Sequence, residues 1–402
     1  MIKEKLEKWG QTQLLKFENE LTEEEKTALY KQIEDLDFSY LNASGDDVPK
    51  GEITPIKAMT ITEIENQRAK FEEEGLKILA RQEVGALLLA GGMGTRLGSD
   101  NPKGMYNIGI TKDVYIFQRL IENLLDVVKA CGKPVPLFIM TSDKNHKATV
   151  EFLKEHKYFG YDENYIKFFM QETAPCVDLN GKILLEEKGV VATSPNGNGG
   201  WFNSLLANDE AKAMLEKFNI KWLNVFAVDN VLQRIADPAF VGATACGGYE
   251  IGSKVIRKVD PYEKVGVMCN KNGKPSIVEY IDLTEEMALQ VDENGERAYN
   301  FGVILNYLFK VELLQEIKDK KLPIHIVTKK VPYVDENGQK VTPEVPNAHK
   351  FEMLCVDMIE FASSCLPFEV VREKEFAPIK NKTGVDSVES AQKLLIQNGY
   401  KL

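Results

Sequence analysis

No stretch of the 402-residue chain approaches the roughly 18 consecutive apolar residues of a membrane-spanning helix. The opening Met1-Ile2-Lys3-Glu4-Lys5 also lacks the apolar core of a secretory signal. Neither a membrane partner nor export is supported, and a cytoplasmic location is expected. Cysteine is scarce: Cys131, Cys176, Cys246, Cys269, Cys355 and Cys365 stand far apart, form no Cys-x-x-Cys and have no histidine nearby to complete a zinc site. They read as reduced, buried thiols. Only four histidines occur (His146, His156, His325 and His349), none within a motif, so an activated-nucleophile mechanism has little to build on. Positive charge is in deficit, with 50 Lys and Arg against 61 Asp and Glu and a net charge of -11. Such a field repels a polyphosphate backbone at long range and argues against nucleic acid as a partner. Any anion bound here needs a local site.

What is present describes an ordinary globular chain, 44% apolar, 9% aromatic and 28% charged, long enough for about two to three domains. From Glu4 to about Asp37 apolar residues such as Leu6, Leu14, Phe17, Leu29 and Ile33 recur at helical spacing. Thr22 with Glu25 three positions on has the form of a capping box, which starts a second helix and implies an N-terminal helical hairpin. Residues 42–57, with Ser44-Gly45-Asp46-Asp47, Pro49, Gly51 and Pro55, carry turn chemistry and read as a linker. After a charged helix over 61–81 the pattern changes to short apolar runs between helices: Val84 to Ala90, Val135 to Thr141, Ile166 to Gln171, Val190 to Ala192, Trp222 to Val228 and Val241 to Thr244. Alternating strands and helices predict an α/β fold around a doubly wound, Rossmann-like sheet. Later segments (254–259, 264–269, 276–280 and 324–331) read as hairpins with Asn272-Gly273 and Asn337-Gly338 as turns, so the sheet is predicted to be mixed. The expected boundaries are an N-terminal helical subdomain over 1–57, a main domain over 58–380 and a short C-terminal helical tail over 381–402.

The sharpest local signal is Leu87-Leu88-Leu89-Ala90-Gly91-Gly92-Met93-Gly94-Thr95-Arg96-Leu97-Gly98, an apolar strand entering a glycine-rich loop, followed by Pro102-Lys103-Gly104. Glycines let backbone N–H groups approach phosphate oxygens, and Arg96 and Lys103 add charged donors. The loop lacks the Gly-Lys-Ser/Thr ending of a P-loop, and its spacing is not Gly-x-Gly-x-x-Gly, which weakens ATPase and dinucleotide readings. The bland alternative is a tight turn bearing surface charges.

This loop resembles the signature of the nucleotidyltransferases that make nucleotide sugars. Asn196-Gly197-Asn198-Gly199-Gly200, Val228-Asp229-Asn230, Val278-Glu279-Tyr280, Tyr299-Asn300-Phe301-Gly302, Lys329-Lys330-Val331-Pro332-Tyr333 and Phe376-Ala377-Pro378-Ile379-Lys380-Asn381 follow in the order of the eukaryotic UDP-N-acetylglucosamine pyrophosphorylase family. The resemblance covers nearly the whole chain. It implies the nucleotide-diphospho-sugar transferase fold and a reversible reaction in which UTP and N-acetylglucosamine 1-phosphate give UDP-N-acetylglucosamine and pyrophosphate. A UDP-glucose or broad UDP-sugar pyrophosphorylase is the alternative.

The resemblance also implies roles. Arg96 should neutralise the leaving pyrophosphate, Lys103 should hold the α-phosphate, and Lys380 should reach back to the phosphates. Ala90, Gly91, Gly92, Gly94 and Thr95 would line the nucleotide. Gln171 would read the base, its amide matching the acceptor and donor of uracil, with Gly197 completing that site. Asn198, Glu279 and Asn300 would bind the sugar and its acetamido group. Asp229 would hold Mg²⁺, the expected cofactor, although an Asp after a strand is also a good helix cap. Met170, Val303, Leu354 and Val356 depart from the family pattern, the last three near the sugar. Because the chain ends soon after Lys380, without the further domain that family members often carry, a monomer is expected.

Overall fold

The computed structural model describes residues 2–43 and 51–402. Residues 44–50 of the turn-rich linker lie outside the described residues. The chain divides into two compact units.

The larger unit comprises 51–170, 201–320 and 356–402 and holds a ten-stranded sheet. At its centre the strands Trp222–Ala227, Val84–Leu89, Leu137–Thr141 and Ile166–Met170 run parallel in that order. Val-Gly-Ala-Leu-Leu-Leu is buried at every position, as a strand covered on both faces must be. Beyond Trp222–Ala227 the direction reverses. The strand Phe301–Lys310 pairs antiparallel with it and with Ile251–Arg257, which in turn pairs parallel with Cys365–Glu369. The hairpin Val267–Lys271/Lys274–Val278 turns at Asn272 and Gly273, with φ of 51° and 77°, the geometry that Asn-Gly favours. The mixed, doubly wound sheet predicted from the sequence is thus observed.

One run departs from expectation. Val241 to Thr244, predicted as a strand, lies inside the helix Pro238–Cys246, which is buried on nearly every side. Helix and strand cannot be told apart by periodicity in a short, wholly apolar run. The deciding signal is at its start, where Asp237 accepts a hydrogen bond from the Ala239 amide (3.2 Å) and Pro238 occupies the first turn.

The smaller unit joins the N-terminal residues to 171–200 and 321–355. Its helices Ile2–Lys8 and Glu23–Asp35 are separated by two 3₁₀ turns, and the Thr22/Glu25 capping box is present. The expected N-terminal helical subdomain over 1–57 is corrected here. Leu6, Leu14, Phe17, Leu29 and Ile33 share one core with Val177, Ile183, Leu185, Val191 and Phe351, because two short helices cannot bury their apolar stripe alone. The C-terminal tail is likewise not separate: its helix, Val388–Gln397, buries Val388, Ala391 and Leu395 in the main core of the larger unit.

None of the six cysteines is in a disulfide. Cys176, Cys269, Cys355 and Cys365 are buried as predicted, and burial pushes the Cys269 thiol up to about 11. Cys246 is exposed and Cys131 only half-buried, since both fall at the ends of helices rather than inside them. Among the described residues no helix is long and apolar enough to cross a membrane.

Candidate active site

The glycine loop leaves the carboxyl end of the Val84–Leu89 strand, where open α/β sheets place ligands. Its carbonyls are turned away and engaged. Ser142 Oγ donates to the Gly91 carbonyl (3.0 Å), and Asn145 Nδ2 to those of Ala90 (2.9 Å) and Gly92 (3.4 Å). Two backbone bonds close the loop: Gly94 N–H to the Asn101 carbonyl (2.8 Å) and Lys103 N–H to that of Gly92 (3.1 Å). Among the described residues the amides of Gly91, Gly92 and Met93 reach no backbone carbonyl, and a Cβ at Gly92 would meet nothing within 4 Å. The loop therefore offers backbone donors toward open space, which suits an anion. Gly94 is buried, while Thr95 and Arg96 are exposed on the turn that follows. Arg96 has no carboxylate partner among the described residues. Gly104 has a separate reason: a Cβ there would fall 2.2 Å from the Phe117 ring, so glycine lets the Lys103 turn seat on the helix Ile116–Cys131.

Asp229 follows the strand Trp222–Ala227. It caps no helix; the next one begins at Pro238 under Asp237. Its carbonyl accepts from Ile379 N–H (2.9 Å), while the Asn230 side chain accepts from Ala377 N–H (2.9 Å) and donates to the Glu375 carbonyl (2.8 Å). These bonds dock the distant segment 375–380 on the Asp229 turn and carry Lys380 to the site, where its ammonium pairs with Asp386 at 3.3 Å. Burial pulls the half-buried Lys103 ammonium below its ordinary value; Asp229 opposes that shift, and Arg96 and Lys380 reinforce it. Charged groups from three remote stretches of the chain thus bear on Lys103. Among the described residues no group of three or more His, Cys, Asp or Glu is arranged to hold a metal ion, so Asp229 belongs to no such cluster.

In the smaller unit the ladder Thr173–Pro175/Thr193–Pro195 ends with Asn196 N–H donating to the Glu172 carbonyl at 3.2 Å, one residue short of Gln171 on one side and of Gly197 on the other. Gly197 adopts φ 88°, and a Cβ would sit 2.2 Å from the Met353 carbonyl. Asn198 spends its side-chain carbonyl on the Cys355 amide (2.8 Å), so it holds its own loop against 353–355 and presents its amide –NH₂ group as the remaining donor. In the larger unit, Glu279 and Val303 flank Gly266: the Glu279 Oε1 and Val303 Cγ2 atoms lie 3.3 and 3.5 Å from a Cβ placed there. Asn300 is buried with its Oδ1 unpartnered. Of the residues that hold the loops carrying the charges, Ser142 and Asn145 escaped the sequence reading and Asn230 was given no role in it. Their signal was position, since each follows the end of a parallel strand.

The sequence model described as UTP–glucose-1-phosphate uridylyltransferase matches residues 31–397. The UDP-N-acetylglucosamine pyrophosphorylase of Saccharomyces cerevisiae is 36% identical over 364 residues, covering 87% of this chain and 75% of that protein. The UDP-N-acetylhexosamine pyrophosphorylase-like protein 1 of Mus musculus is 35% identical over 411 residues, covering 96% and 81%. Among solved structures, the uridine diphosphate N-acetylglucosamine pyrophosphorylase of Trypanosoma brucei, crystallised with an inhibitor, superposes with a TM-score of 0.82 at 25% identity, covering 98% of this chain and 83% of that one.

Proposed function

The chain belongs to the UTP–glucose-1-phosphate uridylyltransferase family, and from that premise we infer that it transfers the uridylyl group of UTP to N-acetylglucosamine 1-phosphate and releases pyrophosphate. The observation that carries this reading is the glycine loop with its open amides beside Arg96 and Lys103, together with the hydrogen bonds that dock the segment ending in Lys380 on the Asp229 turn. A phosphate oxygen of the sugar 1-phosphate forms a bond to the α-phosphorus while the bond from that phosphorus to the β-bridging oxygen breaks, and the electron pair leaves with pyrophosphate. Such a displacement asks for alignment and charge neutralisation more than for a protein nucleophile. Lys103 holds the α-phosphate, Arg96 and the loop amides take up charge on the leaving group, and Lys380 joins them. Gln171 presents one donor and one acceptor to the uracil edge, with the opposite polarity to cytosine.

Mg²⁺ fits the donor set, since a hard oxygen ligand on Asp229 beside phosphate oxygens is what this ion accepts, and when bound it neutralises phosphate charge. Asn198, Glu279 and Asn300 serve the sugar; the unpartnered Oδ1 of Asn300 supports an acceptor for an amide N–H.

The test is pyrophosphate release measured over a panel of nucleotides and sugar 1-phosphates. UTP with N-acetylglucosamine 1-phosphate should give the highest kcat/KM, by about 10-fold to 1000-fold over glucose 1-phosphate, as a few polar contacts allow. Equal or better use of glucose 1-phosphate would favour the UDP-glucose reading, to which the apolar Val303 beside Glu279 lends its one observation. Activity confined to another nucleotide would overturn the base assignment.

A further inference from the structure

Beneath the Asp229 turn lies a lysine that the reaction does not use. Lys254 is wholly buried, and its ammonium donates to Asp237 Oδ2 (3.0 Å), Glu375 Oε2 (2.5 Å) and the Arg234 carbonyl (3.1 Å). A buried ammonium persists only where carboxylates and carbonyls replace its water. What it joins is informative. Asp237 and Arg234 end the loop that begins at Asp229, whereas Glu375 opens the segment that ends at Lys380. Glu375 also accepts from the Arg234 amide (3.4 Å), and the amides of Ala377 and Ile379 then bond to Asn230 and Asp229.

The backbone is shaped for this contact. Ile251–Arg257 and Phe301–Lys310 lose register beside Lys254, with Leu305 in the left-handed region at φ 50°, and Asn306 on that irregular stretch donates to the same Arg234 carbonyl (3.3 Å). Irregularities of this kind re-aim side chains near functional sites. Burial works against charge on both carboxylates; Lys254 and Arg234 nonetheless hold Asp237 below the usual carboxylate range, whereas burial raises Glu375.

We propose that Lys254, acting through Glu375, is a positioning residue that clamps the Lys380 segment to the Asp229 turn and so sets the spacing of the two phosphate-facing groups. The catalytic consequence rests on the function proposed above, but the clamp itself does not. The experiment uses Glu375→Gln, which keeps the side-chain shape and removes a buried charge, and reads two quantities. Hydrogen exchange over 376–381 should accelerate at least 10-fold while the Val84–Leu89 strand is unchanged, and kcat should fall at least 10-fold with the KM for UTP within 3-fold. Unchanged exchange overturns the clamp, and accelerated exchange with normal kcat overturns its role in spacing. If the wild-type protein transfers no nucleotide, the function has failed and the exchange arm alone decides the clamp. If Glu375→Gln does not fold, Lys254→Met/Glu375→Gln, which removes one charge of each sign, is read by the same two measurements and the same outcomes.

Discussion

In the free protein, burial with Arg96 and Lys380 nearby makes the Lys103 ammonium costlier to hold than it is in water, and Asp229 only partly compensates. A bound polyphosphate reverses that balance. The lysine value, lowered in the free protein, rises in the complex, so above the lowered value nucleotide binding takes up a proton. Binding is strongest below that value and weakens as pH climbs from it toward the ordinary lysine range. Calorimetry of UTP binding at alkaline pH, in two buffers of different ionisation heat, should show this uptake, and Lys103→Ala should abolish it. Identical observed heats in the two buffers would mean that Lys103 does not meet phosphate. Replacing Arg96 or Lys103 by Ala should lower kcat/KM by about 100-fold or more, the usual loss when one preorganised donor to developing charge is removed. Thermal melting should be unaffected for Arg96→Ala, because that side chain is exposed.

At the scale of elements, the helices Ile61–Ala80 and Pro238–Cys246 approach through two glycines, which explains the otherwise unfavourable Gly75 inside a long helix. A Cβ at Gly75 would fall 1.9 Å from the Pro238 carbonyl, and one at Gly242 would fall 1.9 Å from that of Phe71. Gly75→Ala gains about 1 kcal/mol of helix propensity. It should nonetheless destabilise the protein, since overpacking costs about 1–3 kcal/mol and the obstacle is backbone rather than a side chain that can turn aside. Chemical denaturation gives the sign directly; a stabilised Gly75→Ala would show that the two helices can separate at no cost. The Asp237 cap belongs to the same helix, so one carboxylate both starts the helix and receives Lys254.

For the whole molecule, the decisive feature is that the smaller unit is assembled from three stretches far apart in sequence. Leu14, fully buried, packs in a core to which Val177, Ile183 and Phe351 also contribute. Leu14→Ala should cost about 2–5 kcal/mol, as large-to-small changes in cores do. Because the core is shared, the loss should be felt in every stretch: limited proteolysis should accelerate within 171–200 and 321–355 as well as near the N-terminus. Faster cleavage confined to the first forty residues would restore a separate helical subdomain at the N-terminus. Strand identities in the central sheet were legible because fully buried parallel strands leave unbroken apolar runs, and the hairpin at Asn272-Gly273 was legible because only a few residues tolerate its backbone. The unit boundaries were not legible, because no local pattern records which distant segment covers an apolar stripe.

The phosphate loop could be read from residues alone, since glycine is the residue that clears space for backbone donors and the cations Arg96 and Lys103 stand within twelve positions of Gly92. Asp229 and Lys380 could be named only through resemblance to relatives; their meeting is a tertiary event, made by the Asn230 side chain and two backbone bonds across some 150 residues. The helix at 238–246 marks the same divide, because an evenly apolar run has no face, and its Asp237-Pro238 start carried the only local clue. Local sterics and period act between neighbours and are written in order along the chain. Which buried carboxylate receives Lys254, and which strand end receives the segment 375–380, follows from long-range packing that the order of residues does not spell out.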